Sequence, residues 1–189
     1  MIQIIPAGSL QANCCIVSGD DRLAAVIDPG GDIPEIEEFL KKKSLKCEGI
    51  LLTHGHRDHI DGVEQLRKDT GAKVYISKAD AYRLDSPADV LLDDGDTVKT
   101  AGMEFRMVST PGHTEGSCCY ILWDKVMFSG DTLFYGTIGR TDLPGGDTGM
   151  IMKSMNRLRE LPYEDLTVIP GHGEITSLKF ERKYNPYLK

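Results

Sequence analysis

The sequence predicts an α/β protein whose sheets carry helices on their outer faces. Three observations point there. Strand-like and helix-like segments alternate through both halves of the chain. Its 189 residues suffice for one domain with a substantial core and would be cramped for two, so residues 1–189 are expected to form a single domain. The most distinctive chemistry, in the stretch THGHRDHIDG at 53–62, directly follows a buried apolar run.

Residues 1–28 read as three short strands, with CCIVSG and LAAVID separated by a polar turn at 18–21. Residues 33–43 read as a helix. Asp32 is placed to cap it, Pro34 suits a first turn, Ile33, Ile36, Phe39 and Leu40 share a face, and lysines close the end. EGILLT is a buried strand that runs into the histidines. From Ile60 the apolar period becomes helical through Val63 and Leu66 and stops at Gly71. KVYIS is a further strand, followed by a short helical stretch. A hairpin then pairs DTVKT with MEFRMVST, and the strands SCCYILW and KVMFSG follow. Residues 148–160 suit a helix, LTVIP a strand and SLKFERKY a final helix.

The balance of 29 acidic against 22 basic residues, a formal net charge of −7, argues against nucleic acid or an anionic membrane as partner. No apolar run approaches membrane-spanning length, and the start MIQIIPAGSL lacks the basic flank and long apolar stretch of a signal peptide. A cytoplasmic protein is expected, as a monomer or small homo-oligomer. Cys14 with Cys15 and Cys118 with Cys119 are neighbours inside apolar runs, Cys47 stands alone, and there is no CxxC. These cysteines read as small buried strand residues of a reducing compartment rather than as a vicinal disulfide or redox centre.

His54, His56, Asp58 and His59 fall within six positions. His54 and His56 are two apart where the chain has just left a strand. In extended backbone such positions project to the same side, so both imidazoles can reach one ion. Asp58 and His59 lie where the chain bends into a helix, point elsewhere and can serve a second ion. In HExxH, by contrast, i,i+4 spacing sets two ligands of one metal on a helix face. The spacing here suits two metals. The remaining histidines, His113 and His172, both stand in Pro-Gly-His loops after strands. Alone, each would read as a solvated loop residue; beside the cluster, they read as further ligands. Asp131, in FSGDT at a strand end, is placed where a carboxylate could bridge two ions. Asp28, in VIDPGG, is a candidate acceptor for a ligand histidine N–H, or an ordinary turn aspartate before proline.

THGHRDH, Gly-His-Thr, Ser-Gly-Asp-Thr and Pro-Gly-His-Gly resemble, in order and spacing, the motifs of the metallo-β-lactamase superfamily over almost the whole chain. The resemblance implies a four-layer αβ/βα sandwich, two β-sheets face to face with helices on the outer faces and metals at one sheet edge. It implies two divalent metal ions; imidazole and carboxylate without thiolate admit zinc, iron or manganese, with zinc expected first. His54, His56 and His113 would hold the first, Asp58, His59 and His172 the second, and Asp131 would bridge them. Asp58 and Asp131 are the carboxylates expected in the catalytic centre. The aspartate at 131 departs from the true β-lactamases, which argues against antibiotic hydrolysis. His56 departs from flavodiiron proteins, which carry a glutamate there. The RNA-processing members are larger, and an acidic chain without a basic patch fits them poorly.

GDTLF followed by IGR, and SLKFERKYNP after the last histidine, are most similar to the glyoxalase II branch, the hydroxyacylglutathione hydrolases. That branch continues into a helical domain that helps hold glutathione, which residues 1–189 are expected to lack. Arg140 stands where a glutathione-binding lysine is expected, and Thr141 and Asp142 replace an aromatic pair. GRTDLPGGD resembles the short bacterial type II glyoxalases, and GRTD alone the persulfide dioxygenases, which use a single iron. Arg140 is expected either to bind a substrate anion or to pair with Asp142 or Asp147 and shape its loop.

The implied function is a metal-dependent hydrolase that cleaves small-molecule thioesters such as S-lactoylglutathione through a hydroxide bridging the two ions. Coordination brings the pKa of water to about 7, and the ions stabilise the oxyanion of a tetrahedral intermediate. No serine or cysteine has the context of an activated nucleophile. The alternatives are a mononuclear iron persulfide dioxygenase and, from another class, a non-catalytic metal-binding module.

Overall fold

The computed structural model describes residues 1–19 and 21–189, so one position of the 18–21 turn, Asp20, lies outside the described residues. Two six-stranded sheets pack face to face. The first runs, in spatial order, β1 (Ile2–Ala7), β2 (Ala12–Ser18), β3 (Leu23–Ile27), β4 (Lys46–Leu51), β5 (Lys73–Ser77) and β6 (Val90–Leu92). Pairing is antiparallel from β1 to β3 and parallel from β3 to β6. The second sheet contains β7 (Thr97–Thr100), β8 (Met103–Ser109), β9 (Cys118–Leu122), β10 (Val126–Gly130), β13 (Thr167–Pro170) and β14 (Thr176–Ser177). Its spatial order is β14-β13-β10-β9-β8-β7, with only the β10 and β13 pair parallel. A separate hairpin joins β11 (Leu133–Phe134) to β12 (Thr137–Ile138).

Three apolar layers fill the spaces between four layers of structure. Helices α1 (Ile33–Lys42) and α3 (Val63–Thr70) lay Ile36, Leu40, Val63 and Leu66 on the outer face of the first sheet, over Ile16, Val26 and Ile50. Between the sheets, Val17, Ile27 and Leu51 meet Phe105, Tyr120 and Phe128. On the far side, α4 (Thr148–Arg159) and α5 (Leu178–Tyr184) bring Ile151, Met155, Leu158 and Leu178 onto Ile121, Met127 and Val168. This is the αβ/βα sandwich that the sequence resemblance implied.

The period of two along a strand explains the paired cysteines. Cys14 faces the helices while Cys15 faces the second sheet, and Cys118 and Cys119 divide in the same way. All five cysteines are buried free thiols, as expected of strand residues.

Several local expectations need correction. The helix expected from Ile60 to Gly71 is two pieces, α2 (Arg57–Ile60) and α3, because the Gly62 N–H leaves the helix to donate to Pro29 O at 2.9 Å. Gly71 does close α3 in the left-handed conformation. Asp32 occupies the N-cap position of α1 but makes no side-chain cap; its carboxylate accepts the Gly8 N–H at 2.8 Å instead. Strands β6, β11, β12 and β14, two or three residues each, were not expected. No described helix is long and apolar enough to cross a membrane.

Candidate metal centre

The C-terminal ends of five strands deliver the candidate residues to one edge of the sandwich. Asp28 follows β3, the 54–59 cluster follows β4, His113 follows β8, Asp131 follows β10 and His172 follows β13. The structure therefore brings together all five histidines with Asp28, Asp58 and Asp131. Two groups result, His54 with His56 and His113, and Asp58 with His59 and His172. In each, one potential ligand atom per residue lies within 4.8 Å of the others.

Asp131 stands between the groups. Its Oδ1 is 3.4 Å from His59 Nε2, and its Oδ2 is 3.5 Å from His113 Nε2 and 3.7 Å from His172 Nε2. A carboxylate so placed can offer one oxygen to each group. Gly171 makes room for it, since a Cβ there would overlap the Asp131 carboxylate and stand 2.8 Å from His59 Cε1.

Hydrogen bonds behind the rings decide which nitrogens face inward. His113 Nδ1–H donates to Arg140 O at 2.8 Å, and His172 Nδ1–H to Leu10 O at 3.2 Å. His59 Nδ1–H donates to Asp28 Oδ2 at 3.0 Å. The Thr53 hydroxyl donates to the same Asp28 oxygen at 2.6 Å, so Thr53 Oγ1 accepts from His54 Nδ1–H at 3.1 Å. Each outer N–H is thus spent, and the Nε2 atoms of His54, His59, His113 and His172 point to the centre. Asp28 could be grouped with His54 and His59 by distance alone. Its oxygens already accept the Thr53 N–H, the Thr53 hydroxyl and the His59 N–H, which makes it an orienting acceptor and not an ordinary turn aspartate.

Such a centre asks for cations. His56 Nδ1 and His113 Nε2 are 2.8 Å apart, and the Nε2 atoms of His59 and His172 are 3.3 Å apart with Asp58 Oδ2 3.0 Å from His172. Lone pairs this close need a proton or a metal ion between them. His54 Nε2 and Asp131 Oδ1 are buried without any hydrogen-bond partner among the described residues, a costly arrangement unless something else satisfies them. Neutral imidazole and carboxylate, with no thiolate, is a donor set for divalent zinc, iron or manganese.

Charge divides the two groups. Burial, then the neighbouring imidazoles, holds His54 well below the usual histidine range. Burial, His113 and Arg83 push His56 down to about 4. Burial opposes a charge on His59, but Asp131 and Asp28 outweigh it and lift the ring to about 10. Burial likewise opposes the Asp58 charge, yet His172 and His59 bring it to about 2. His54 and His56 are thus held neutral, whereas around Asp58, His59 and His172 the carboxylates of Asp28, Asp58 and Asp131 favour positive charge.

The centre opens into a cleft of about 580 Å³ whose walls include Leu10, Phe134 and Leu143, with His56, Asp58, His113, Asp131 and His172 along its floor. Arg140 also lines it, but Nε and Nη2 donate to Asp142 Oδ1 and Oδ2, both at 2.7 Å. Of the two partners expected for Arg140, Asp142 is taken. Asp147 instead caps α4 through the Met150 N–H at 2.8 Å. The sequence reading missed Thr53 and the carbonyls of Leu10 and Arg140. Thr53 was open to notice as the residue before the first histidine; the carbonyls carry no residue-type signal.

The metallo-beta-lactamase superfamily matches residues 7–172. A hydroxyacylglutathione hydrolase, GloC of Haemophilus influenzae, is 36% identical over 99% of this chain and 97% of its own. Among solved structures, BLEG-1, described as a B3 metallo-beta-lactamase, superposes with a TM-score of 0.94 at 35% identity, covering 100% of this chain and 99% of its own. ETHE1 from Myxococcus xanthus gives 0.89 at 30% identity, covering 98% and 83%. TTHA1623, solved in a di-iron-bound form, gives 0.83 at 31%, covering 98% and 100%. With the matched motifs, the sandwich and the clustered histidines and aspartates in agreement, the chain belongs to the metallo-beta-lactamase superfamily.

Proposed function

We propose that the protein is a dinuclear metal-dependent thioester hydrolase of the hydroxyacylglutathione hydrolase type. The observation that carries this reading is the position of Asp131, with one oxygen toward His59 and the other toward His113 at the floor of an apolar-walled cleft. His54, His56 and His113 would hold one divalent ion, Asp58, His59 and His172 the other, and Asp131 both. The likeness to GloC and to the di-iron TTHA1623 supports it. Ions bound there would supply a water with a pKa of about 7 and positive charge for the developing oxyanion.

The chain's own residues do the rest. Asp28, Thr53 and the carbonyls of Leu10 and Arg140 keep the imidazoles in one tautomer and orientation, so no reorganisation is needed as charge develops. Leu10, Phe134 and Leu143 offer apolar contact to a thioester and reduce the water around it. Among the described residues, the cleft lining contains no serine, threonine or cysteine to compete as a nucleophile for the acyl group.

A mononuclear iron persulfide dioxygenase is the second reading, favoured by the GRTD segment at 139–142 and the likeness to ETHE1. The deciding experiment loads the metal-freed protein with zinc, iron or manganese. Anaerobic hydrolysis of S-lactoylglutathione, oxygen uptake with glutathione persulfide, and turnover of a chromogenic cephalosporin are then measured side by side. Anaerobic thioester turnover with two ions bound is the expected result. Iron-specific oxygen uptake with one ion would transfer the assignment to the dioxygenase, and cephalosporin turnover alone would move it to the lactamases.

A further inference from the structure

The loops that carry His54, His56 and His113 are fastened together by a residue outside the cluster. Asp80 is fully buried just before a 3₁₀ turn, Ala81–Arg83. Its Oδ2 accepts the Gly55 N–H at 2.8 Å and the Thr114 hydroxyl at 2.7 Å, and its Oδ1 accepts the Gly116 N–H at 2.9 Å. Gly55 lies between His54 and His56, and Thr114 follows His113. Thr114 is fixed again by Ser117: its N–H donates to Ser117 Oγ at 2.9 Å, and the Ser117 hydroxyl returns a bond to Thr114 Oγ1 at 2.7 Å.

The packing around this clamp is close. A Cβ on Gly116 would stand 2.6 Å from Asp80 N, and one on Gly55 would stand 2.6 Å from Arg83 Cδ. Arg83 Nε, 3.6 Å from Asp80 Oδ1, supplies a nearby positive charge. Three hydrogen bonds converge on this one buried side chain, and removing the acceptor strands their donors. Among the described residues, the hydrogen bonds of Asp80 reach none of Asp58, His59 and His172.

We propose that Asp80 is a positioning residue for the His54, His56 and His113 group alone, setting that group's affinity for a divalent ion independently of the second group. The proposal rests on the metal-binding reading of the site and not on the reaction catalysed. Titration of the metal-freed protein with cobalt(II), followed by visible absorption and calorimetry, tests it. Wild type should take up two ions in separable steps. Asp80→Asn turns an amide N–H toward an existing donor. It should weaken one step by about 10–100-fold, the range seen for partners behind metal ligands, and alter only that step's absorption bands.

Thr114→Val removes one of the three donors and leaves the carboxylate in place, which covers the case of Asp80→Asn failing to fold. It should weaken the same step, and Thr114→Ser should restore it. Two unchanged steps in folded variants, or equal weakening of both, overturn the proposal. A wild type that binds no cobalt overturns the metal reading beneath it. Two normal steps in wild type, one of them selectively lost in the variants, support the proposal even where thioester turnover is absent.

Discussion

Asp28 Oδ2 receives the His59 N–H at 3.0 Å and the Thr53 hydroxyl at 2.6 Å, and Thr53 in turn receives the His54 N–H. One carboxylate thereby orients a histidine in each of the two groups. Asp28 sits at the end of β3 with a φ of 52°, a left-handed conformation that aspartate tolerates better than most residues. Asp28→Ala should therefore weaken both ion-binding steps, by about 10–100-fold each, whereas substitutions at Asp80 should weaken one. Metal content by elemental analysis and cobalt titration would check the contrast. An Asp28→Ala protein that keeps two tightly bound ions would remove it from the site's support.

Asp131 should matter more than any single histidine, because both groups depend on it. Asp131→Ala is expected to lower kcat for thioester hydrolysis by about a hundredfold or more and to leave fewer than two ions bound. Gly171→Ala offers an independent route to the same defect, since its methyl group would displace the Asp131 carboxylate without removing it. Wild-type turnover and metal content in both variants would show that Asp131 bridges nothing. Circular dichroism should show both chains folded, as neither substitution touches the three apolar layers.

The seven potential ligands were legible in the sequence because histidine and aspartate announce themselves by type, and their spacing follows the period of a strand and its exit. The layers were legible from apolar pattern: β2 and β9 are near-continuous apolar runs, as strands buried on both faces should be, and α1 and α3 each carry an apolar face. What stayed hidden acts through main chain or over distance. Leu10 O serves His172 across 162 positions, and Arg140 O serves His113 across 27. Asp80 clamps residues 25 to 36 positions away and follows a lysine and an alanine that suggest nothing. Strands such as β11 and β14, two residues long, are too short to show any period.

Native thiol chemistry should be silent. Burial pushes the thiols of Cys47 and Cys119 up to about 12, and those of Cys14, Cys15 and Cys118 rise for the same reason. At pH 8 every thiol is protonated as well as covered, so neither nucleophilicity nor access favours attack. A disulfide reagent at pH 8 should release no chromophore from the native protein and five equivalents after denaturation. One fast-reacting native thiol would mean that a strand of the sandwich opens locally.

The pairing of Arg140 with Asp142 changes what its removal should do. Both guanidinium contacts are made to that carboxylate at 2.7 Å, on an exposed rim of the cleft. A guanidinium so engaged has to leave Asp142 before it can hold a substrate carboxylate, and an exposed pair of this kind is worth little to stability. The residue's firm contribution is its main-chain carbonyl, which any side chain at 140 would keep in place for His113. Arg140→Ala is therefore expected to leave kcat nearly unchanged and to raise KM for S-lactoylglutathione only about severalfold. Asp142→Ala should act in the opposite sense, freeing the guanidinium and lowering KM for that anionic thiol carrier but not for a thioester of a neutral thiol. Steady-state kinetics of both variants on both substrates would decide it. A KM increase of about tenfold or more in Arg140→Ala, confined to the glutathione substrate, would show that the guanidinium abandons Asp142 on binding. Equal losses on both substrates would mean that the pair only holds the loop that presents the carbonyl to His113.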